Sequence, residues 1–363
     1  EYFKSGEEAF ESILKDLRSA EKFIFMEYFI IGSGVMLDQI LDILKEKVKH
    51  GVVVRIIYDD FGSINAIPPH FIKEMENIGI QTRRFNPYKP MLSVIMNDRD
   101  HRKILVIDGR VAHTGGYNIA DEYINKKIRF GYWKDAGIRV EGECVNSFTT
   151  MFLEMWNYIN KDNAVHDEYL NPHNTFSQSE KSGFVQPFCD SPLEHDDVGE
   201  NLYVSIISRA KKYVYIFTPY LILGTELSHA MISAARSGVD VRIVVPKIPD
   251  KKLIYLQTKA NFRPLIEAGV RIYLYTPGFI HSKCIVADDD TAIVGTCNLD
   301  FRSMYWNFED FVYMYRTQCI GKIKEDAIET FAVSEEVYEE STNDISFAGR
   351  LLQSILQLFA PLL

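Results

Sequence analysis

One polar pattern occurs twice in this chain and constrains its fold more than any other feature. HRKILVIDGRVAHTGGYN at 101–118 reads His-x-Lys-x-x-x-x-Asp, with a Gly seven residues past the Asp and an Asn three further on. HSKCIVADDDTAIVGTCN at 281–298 repeats it. The first copy supplies His101, Lys103, Asp108, Gly115 and Asn118, and the second His281, Lys283, Asp288, Gly295 and Asn298. Five matching positions in one chain point to internal duplication, so two similar halves are expected.

ILVID and CIVAD are short β-branched apolar runs closed by the turn signals DGR and DDD, which predicts a buried strand in each copy. Side chains at i and i+2 share a strand face, so His101 projects with Lys103 and His281 with Lys283. Asp108 and Asp288 lie an odd seven residues after their His; this spacing reads them as structural, holding the turn or a partner strand. Gly115, Gly116 and Gly295 would let backbone amides approach a ligand, and Asn118 and Asn298 could donate amide hydrogens there. Two imidazoles, two ammonium groups and two carboxamides converging on one cleft suit a phosphodiester. One His can attack phosphorus while the other protonates the departing alkoxide. A lone His on an apolar strand is ordinarily a satisfied core residue; the repeated His-x-Lys with its trailing Gly and Asn favours chemistry.

The motif pair resembles the two HKD signatures of the phospholipase D superfamily. Flanking segments narrow the similarity to bacterial cardiolipin synthases: MEYFIIG at 26–32, YDDFGS at 58–63, NDRDHRK at 97–103, GGYNIADEY at 115–123, TPYLI at 218–222, NLDFRSMYWNFE at 298–309 and the terminal LFAPLL. The resemblance implies an α/β fold of two pseudo-symmetric halves, each a mostly parallel sheet flanked by helices, with the active site at their interface. It places His101, Lys103, Asp108, His281, Lys283 and Asp288 in the catalytic signature, with His101 as nucleophile and His281 as acid and base. Asn118, Asn298, Gly116, Gly295, Arg302 and Ser303 would bind substrate. An acidic residue beyond each motif would orient its imidazole: Asp135 for the first and Glu309 for the second, with Asp121 and Glu122 as rivals for Asp135. Glu27, Asp59 and Asp60 could meet a glycerol hydroxyl or cap local structure. Neither metal nor cofactor is implied. The implied reaction joins two phosphatidylglycerol molecules into cardiolipin and glycerol. The alternative is a hydrolase of the same superfamily acting on phospholipid or, further off, nucleic acid. Phosphatidylglycerol and a membrane surface are the expected partners, with a homodimer also open. Synthases of this group begin with one or two membrane-spanning helices, so the expected location is the bacterial cell membrane, with this part peripheral and such helices ahead of Glu1.

Composition fits this reading. The chain has 363 residues, 47% apolar and 25% charged, enough for a large core. A net charge of −10 argues against a globally basic nucleic-acid surface. The five cysteines show no metal-ligand spacing and imply a reducing compartment. Helical and strand patterns alternate in both halves: 7–22 then FIFMEYFII, and 199–212 then YVYIFTPYLIL. Early matches such as Phe23 with Tyr213 and Pro87 with Pro277 lie 190 apart, but the histidines lie 180 apart, so about ten extra residues fall between Pro87 and His101. Within them MLSVIM reads as a core strand or as an acyl-chain contact. The expected division is a first half at 1–165, a polar linker at 166–183, and a second half at 184–363 ending in an amphipathic helix. Along that tail Phe347, Leu351, Ile355, Phe359 and Leu362 form a stripe suited to core packing, a membrane interface or a dimer contact. His166, His173 and His195 lack ligand spacing.

Overall fold

The computed structural model describes residues 1–87, 98–170, 183–194 and 196–342. MLSVIM, most of the 166–183 linker, His173, His195 and the amphipathic tail lie outside these described residues.

Each half opens with a helix whose apolar residues recur every three to four positions. Gly6–Ser19 buries Ala9, Phe10, Ile13, Leu14 and Leu17 on one face. Ser5 caps it, its hydroxyl accepting from the Glu8 N–H at 3.2 Å, and Glu7 and Glu8 lie in the first turn, where the helix dipole favours negative charge. Val198–Arg209 takes the same place in the second half.

Among the described residues, seven strands form the first sheet, in the order Tyr2–Phe3, Gly137–Glu141, Val111–Gly115, Lys103–Ile107, Phe23–Tyr28, Val53–Asp59, Gln81–Phe85. The second sheet repeats its central order with Asn307–Tyr315, Thr291–Gly295, Cys284–Ala287, Tyr213–Phe217, Asp240–Pro246 and Arg271–Tyr275, adding Phe184–Asp190 and Ser334–Val337 at its edges. The α/β class with flanking helices is as expected; the sheets, however, are mixed rather than mostly parallel. In the first, two of the six pairings among the described residues are parallel, Phe23–Tyr28 with Val53–Asp59 and the latter with Gln81–Phe85. The motif strand accounts for the difference. It enters beside Phe23–Tyr28 in the opposite direction and then turns back through a hairpin, and a hairpin joins antiparallel strands.

A shared apolar core lies between the sheets. It draws Phe25, Phe148 and Phe152 from the first half and Val244, Val286 and Val312 from the second, with helices Val145–Asn160 and Cys319–Ala332 contributing to it. The halves also exchange short strands. Arg99–Asp100 runs parallel to Asn307–Phe308, and Gly278–Ile280 runs parallel to Tyr132–Lys134. Each exchange delivers a motif histidine to the opposite half: His101 N–H donates to Phe308 O at 2.9 Å and His281 N–H to Lys134 O at 2.7 Å.

Candidate active site

The residues that follow those two carbonyl acceptors are Glu309 and Asp135. The imidazole partners are therefore crossed. His101 Nδ1 lies 2.9 Å from both carboxylate oxygens of Glu309, and His281 Nδ1 lies 2.8 Å from Asp135 Oδ2. The expected pairing, Asp135 with His101 and Glu309 with His281, is overturned. Strand exchange carries each His out of its own sheet and against the carboxylate strand of the other. The rival acids are occupied elsewhere: Asp121 accepts from Val35 and Met36 N–H at a helix start, and Glu122 pairs with Arg129 at 2.9 Å.

With a carboxylate on Nδ1, each ring keeps its proton there and leaves Nε2 as a lone pair. Both rings, 8% and 9% exposed, line one cleft of about 440 Å³ together with Asn118, Asn298, Tyr123, Tyr220, Arg99 and Arg302. Burial, reinforced by Lys103 and Lys283, holds His101 well below the usual imidazole range. Burial and Lys283 bring His281 down to about 4, against the pull of Asp135. Burial pushes Asp135 upward, but His281, Lys283 and the Ala136 N–H outweigh it and keep the carboxyl below its ordinary value. For Glu309 burial wins over Lys103, Thr296 and Asn307, and the carboxyl is raised.

Lys103 and Lys283 are fully buried beside the rings, and each ammonium donates to the carbonyl oxygen of its own motif histidine. Burial lowers Lys103 to about 8 and Lys283 to about 7.

Asp108 and Asp288 have no place in this cleft. Asp108 collects the N–H groups of Glu21, Lys22 and Phe23 at 2.7–2.9 Å, and Asp288 those of Lys211, Lys212 and Tyr213 at 2.6–3.0 Å. Both occupy left-handed turn positions, at φ 54° and 51°. They tie the motif hairpin to the entry of the neighbouring strand, as their odd spacing implied, so the catalytic place given by the signature is corrected to a structural one.

The glycines also differ from expectation. Gly116 N–H donates to Ala136 O and Gly295 N–H to Lys283 O, which leaves neither amide for a ligand. Close packing is what excludes a side chain: a Cβ on Gly116 would lie 2.0 Å from Asp135 Oδ1, and one on Gly295 would lie 2.4 Å from Asp310 O. Ser303 is buried off the cleft wall, in a short helix capped by Asp300, and does not line the cleft as expected. Arg302 is on the wall. Asn118 spends its carbonyl on Ile30 N–H and one amide hydrogen on Tyr123 Oη, while Asn298 Oδ1 is buried without a hydrogen-bond partner among the described residues. Glu27 pairs with Arg102 at 2.5 Å, Asp59 caps the turn at Gly62, and Asp60 meets Arg84 at 3.4 Å, so these three serve local structure.

Asp310 and Thr296 escaped the sequence reading. Thr296 Oγ1 donates to Glu309 Oε2 at 2.5 Å. Asp310 reaches from the second half into the first, accepting from Lys103 N–H at 2.9 Å and from Thr114 Oγ1 at 2.5 Å. The only signal in NFEDF was a doubled acid inside an otherwise apolar strand.

Among the described residues no group of His, Cys, Asp and Glu could hold a metal ion, and no helix is long and apolar enough to cross a membrane.

The family described as "Cardiolipin synthase, PLD-like domain" matches residues 13–156 and 203–331, one stretch in each half. A cardiolipin synthase of Alkalihalophilus pseudofirmus is 38% identical over 359 residues, covering 99% of this chain and 71% of that protein. An uncharacterised protein of Streptococcus mutans is 49% identical over 362 residues, covering 100% of this chain and 78% of its own. In fold, a phosphatidylserine synthase of Haemophilus influenzae aligns at a TM-score of 0.73 with 17% identity, covering 100% of this chain and 93% of that one. With matches in both halves and extended identity to named synthases, the chain belongs to the PLD-like family of cardiolipin synthases and is an enzyme of the phospholipase D superfamily.

Proposed function

We propose that the protein makes cardiolipin from two phosphatidylglycerol molecules by a ping-pong phosphatidyl transfer. His101 Nε2 attacks phosphorus, the bond from phosphorus to the glycerol oxygen breaks, and the His281 imidazolium gives that oxygen its proton. Glycerol leaves and a phosphatidyl-histidine remains. A hydroxyl of the second phosphatidylglycerol then gives its proton to His281 and attacks phosphorus; the P–N bond breaks and His101 is restored. The single observation that carries this reading is the cleft lined by both imidazoles, each held at Nδ1 by a buried carboxylate of the other half.

An anionic phosphate entering between the rings opposes the field of Lys103 and Lys283 and raises His281 toward the protonated form that leaving-group protonation needs. The same lysines neutralise charge that grows on the non-bridging oxygens in the transition state. Glu309 and Asp135 keep the rings oriented. Because the lipid resides in a bilayer, the enzyme works at a membrane surface.

Incubation with phosphatidylglycerol and separation of the lipid products tests this. Wild type is expected to form cardiolipin and glycerol, and His101→Ala and His281→Ala each to lose about 10³-fold or more, since the two rings act as a unit. Phosphatidic acid as the sole product would overturn the transferase reading in favour of a hydrolase.

A further inference from the structure

Transfer to a second phosphatidylglycerol sets a requirement that hydrolysis does not. The acceptor brings a phosphodiester of its own, so the cleft must accommodate two anions at once. Lys103 and Lys283 flank the reacting one. On one side the wall gathers three cations, together with the carboxylates of Asp250 and Asp300. Arg99, from the first half, is 6% exposed, and its guanidinium sits 4.9 Å over the Phe61 ring. Asp59 approaches it at 3.8 Å, but burial pushes that carboxyl up to about 7, so its countercharge is partial near neutral pH. Arg302 and Lys251, from the second half, line the same cleft. Backbone bonds hold the two arginines close: Arg99 N–H donates to Trp306 O at 3.3 Å, and Trp306 N–H donates to Arg302 O at 3.0 Å. Burial and the neighbouring Arg99 both disfavour the charge on Arg302, with Asp300 and Asp59 opposing them.

The duplication supplies a control inside the molecule. Counting back 180 residues from Arg302 arrives at Glu122, which lines the cleft but is neutralised by Arg129 at 2.9 Å. Counting forward 180 from Arg99 arrives at Phe279, which is apolar and 1% exposed. The two arginines are therefore no by-product of the repeated fold.

We propose that Arg99, Lys251 and Arg302 form the subsite for the phosphate of the acceptor lipid, a proposal that rests on the transferase reading above. Planar guanidinium forks match the two non-bridging oxygens of a phosphodiester, and Lys251 adds a point charge. Water and free glycerol carry no phosphate and gain nothing from this wall. The subsite thus selects the acceptor and directs the phosphatidyl-enzyme toward cardiolipin rather than phosphatidic acid.

The test compares two acceptors on the full chain in detergent micelles of phosphatidylglycerol. Cardiolipin formation reports the anionic acceptor; exchange of labelled free glycerol into phosphatidylglycerol reports the neutral one. Arg302→Gln and Lys251→Gln are each expected to lower the ratio of cardiolipin formation to glycerol exchange about tenfold, the size expected for losing one charged contact to phosphate, and to raise the share of phosphatidic acid. Arg302→Lys should recover part of that ratio. Parallel loss of both activities would overturn the subsite while leaving the synthase reading intact. A wild type yielding only phosphatidic acid would overturn both.

Discussion

The two motif strands present their imidazoles alike yet rest on different foundations. Beneath His101 lies a buried ionic network: Arg102 contacts Glu27 at 2.5 Å and Asp100 at 3.1 Å, and Asp310 holds Lys103 N–H and Thr114. The duplicated positions beneath His281 are Ser282, Phe217, Ile280 and Ala136, the last three in the shared apolar core. Register makes the final match firm. Gly116 N–H donates to Ala136 O as Thr296 N–H does to Asp310 O, so Ala136 and Asp310 occupy the same place. Duplication has kept the motif His, Lys and Asn and let the groups behind them diverge. The two orienting carboxylates differ as well: burial raises the one on His101, while His281, Lys283 and the Ala136 N–H lower the one on His281. A ping-pong reaction asks its two imidazoles to do different work, and inequivalent support is one way to separate them.

The crossed carboxylates offer the largest break of this comparison. Asp135→Asn and Glu309→Gln each remove the acceptor that fixes a ring tautomer, and losses of about 10²–10⁴ in kcat for cardiolipin formation are expected. Asp135→Asn should be the more damaging, because Asp135 is the carboxyl held toward its ionised form. Proton NMR checks the crossing itself. The low-field Nδ1 proton of His101 should vanish in Glu309→Gln and persist in Asp135→Asn; the reverse would sink the crossed arrangement.

Exchanging the foundations gives the next effects, read as denaturation midpoints. Ala136→Asp places a carboxyl without a partner in the apolar core and should cost about 3 kcal/mol or more. Asp310→Ala strands the Lys103 N–H and the Thr114 hydroxyl, for about 2–4 kcal/mol. Asp310→Asn keeps the shape and can still accept, so it should cost less than Asp310→Ala. If Ala136→Asp proved neutral, the undersides would be interchangeable and their difference would carry no weight.

These residues also mark where sequence alone stops. The halves, their helix and strand order and the α/β class were legible because the motif repeats and because period-two and period-3.6 patterns are local properties. The structural use of Asp108 followed from an odd spacing, again a local fact. Strand direction was not legible, since DGR and DDD announce hairpins but not which way the motif strand enters the sheet. The crossed carboxylates were hidden because Asp135 meets His281 only through strand exchange between regions 146 residues apart. Gly116 was misread for the same reason. A glycine in a sequence reveals that a side chain is absent, not that Asp135 and the His281 carbonyl fill the space.

The smallest effect, and the one that separates the two foundations most finely, is the dependence of stability on pH. Burial pushes Asp310 up to about 7, against about 3.9 for an unfolded aspartate. Between those values the folded chain retains a proton that the unfolded chain has released, so this group stabilises fully below about pH 4 and loses its contribution as pH rises toward 7. Asp59, also pushed up to about 7, acts in the same sense. His101 and His281, both lowered, work oppositely. The His281 imidazole is lowered to about 4 from about 6.5, so the unfolded chain binds the extra proton and stability rises with pH between about 4 and 6.5. Each group contributes at most about 1.4 kcal/mol per pH unit, and over the shared window the carboxyl and imidazole slopes oppose each other. Asp310→Asn should therefore steepen the rise of unfolding free energy from pH 4.5 to 6.5, and His281→Gln should turn it toward a fall. Urea denaturation at intervals across that range measures both slopes. An Asp310→Asn profile parallel to that of wild type would mean that the carboxyl stays ionised in the folded protein, and the ionic network under His101 would then carry a fixed charge instead of a titrating one.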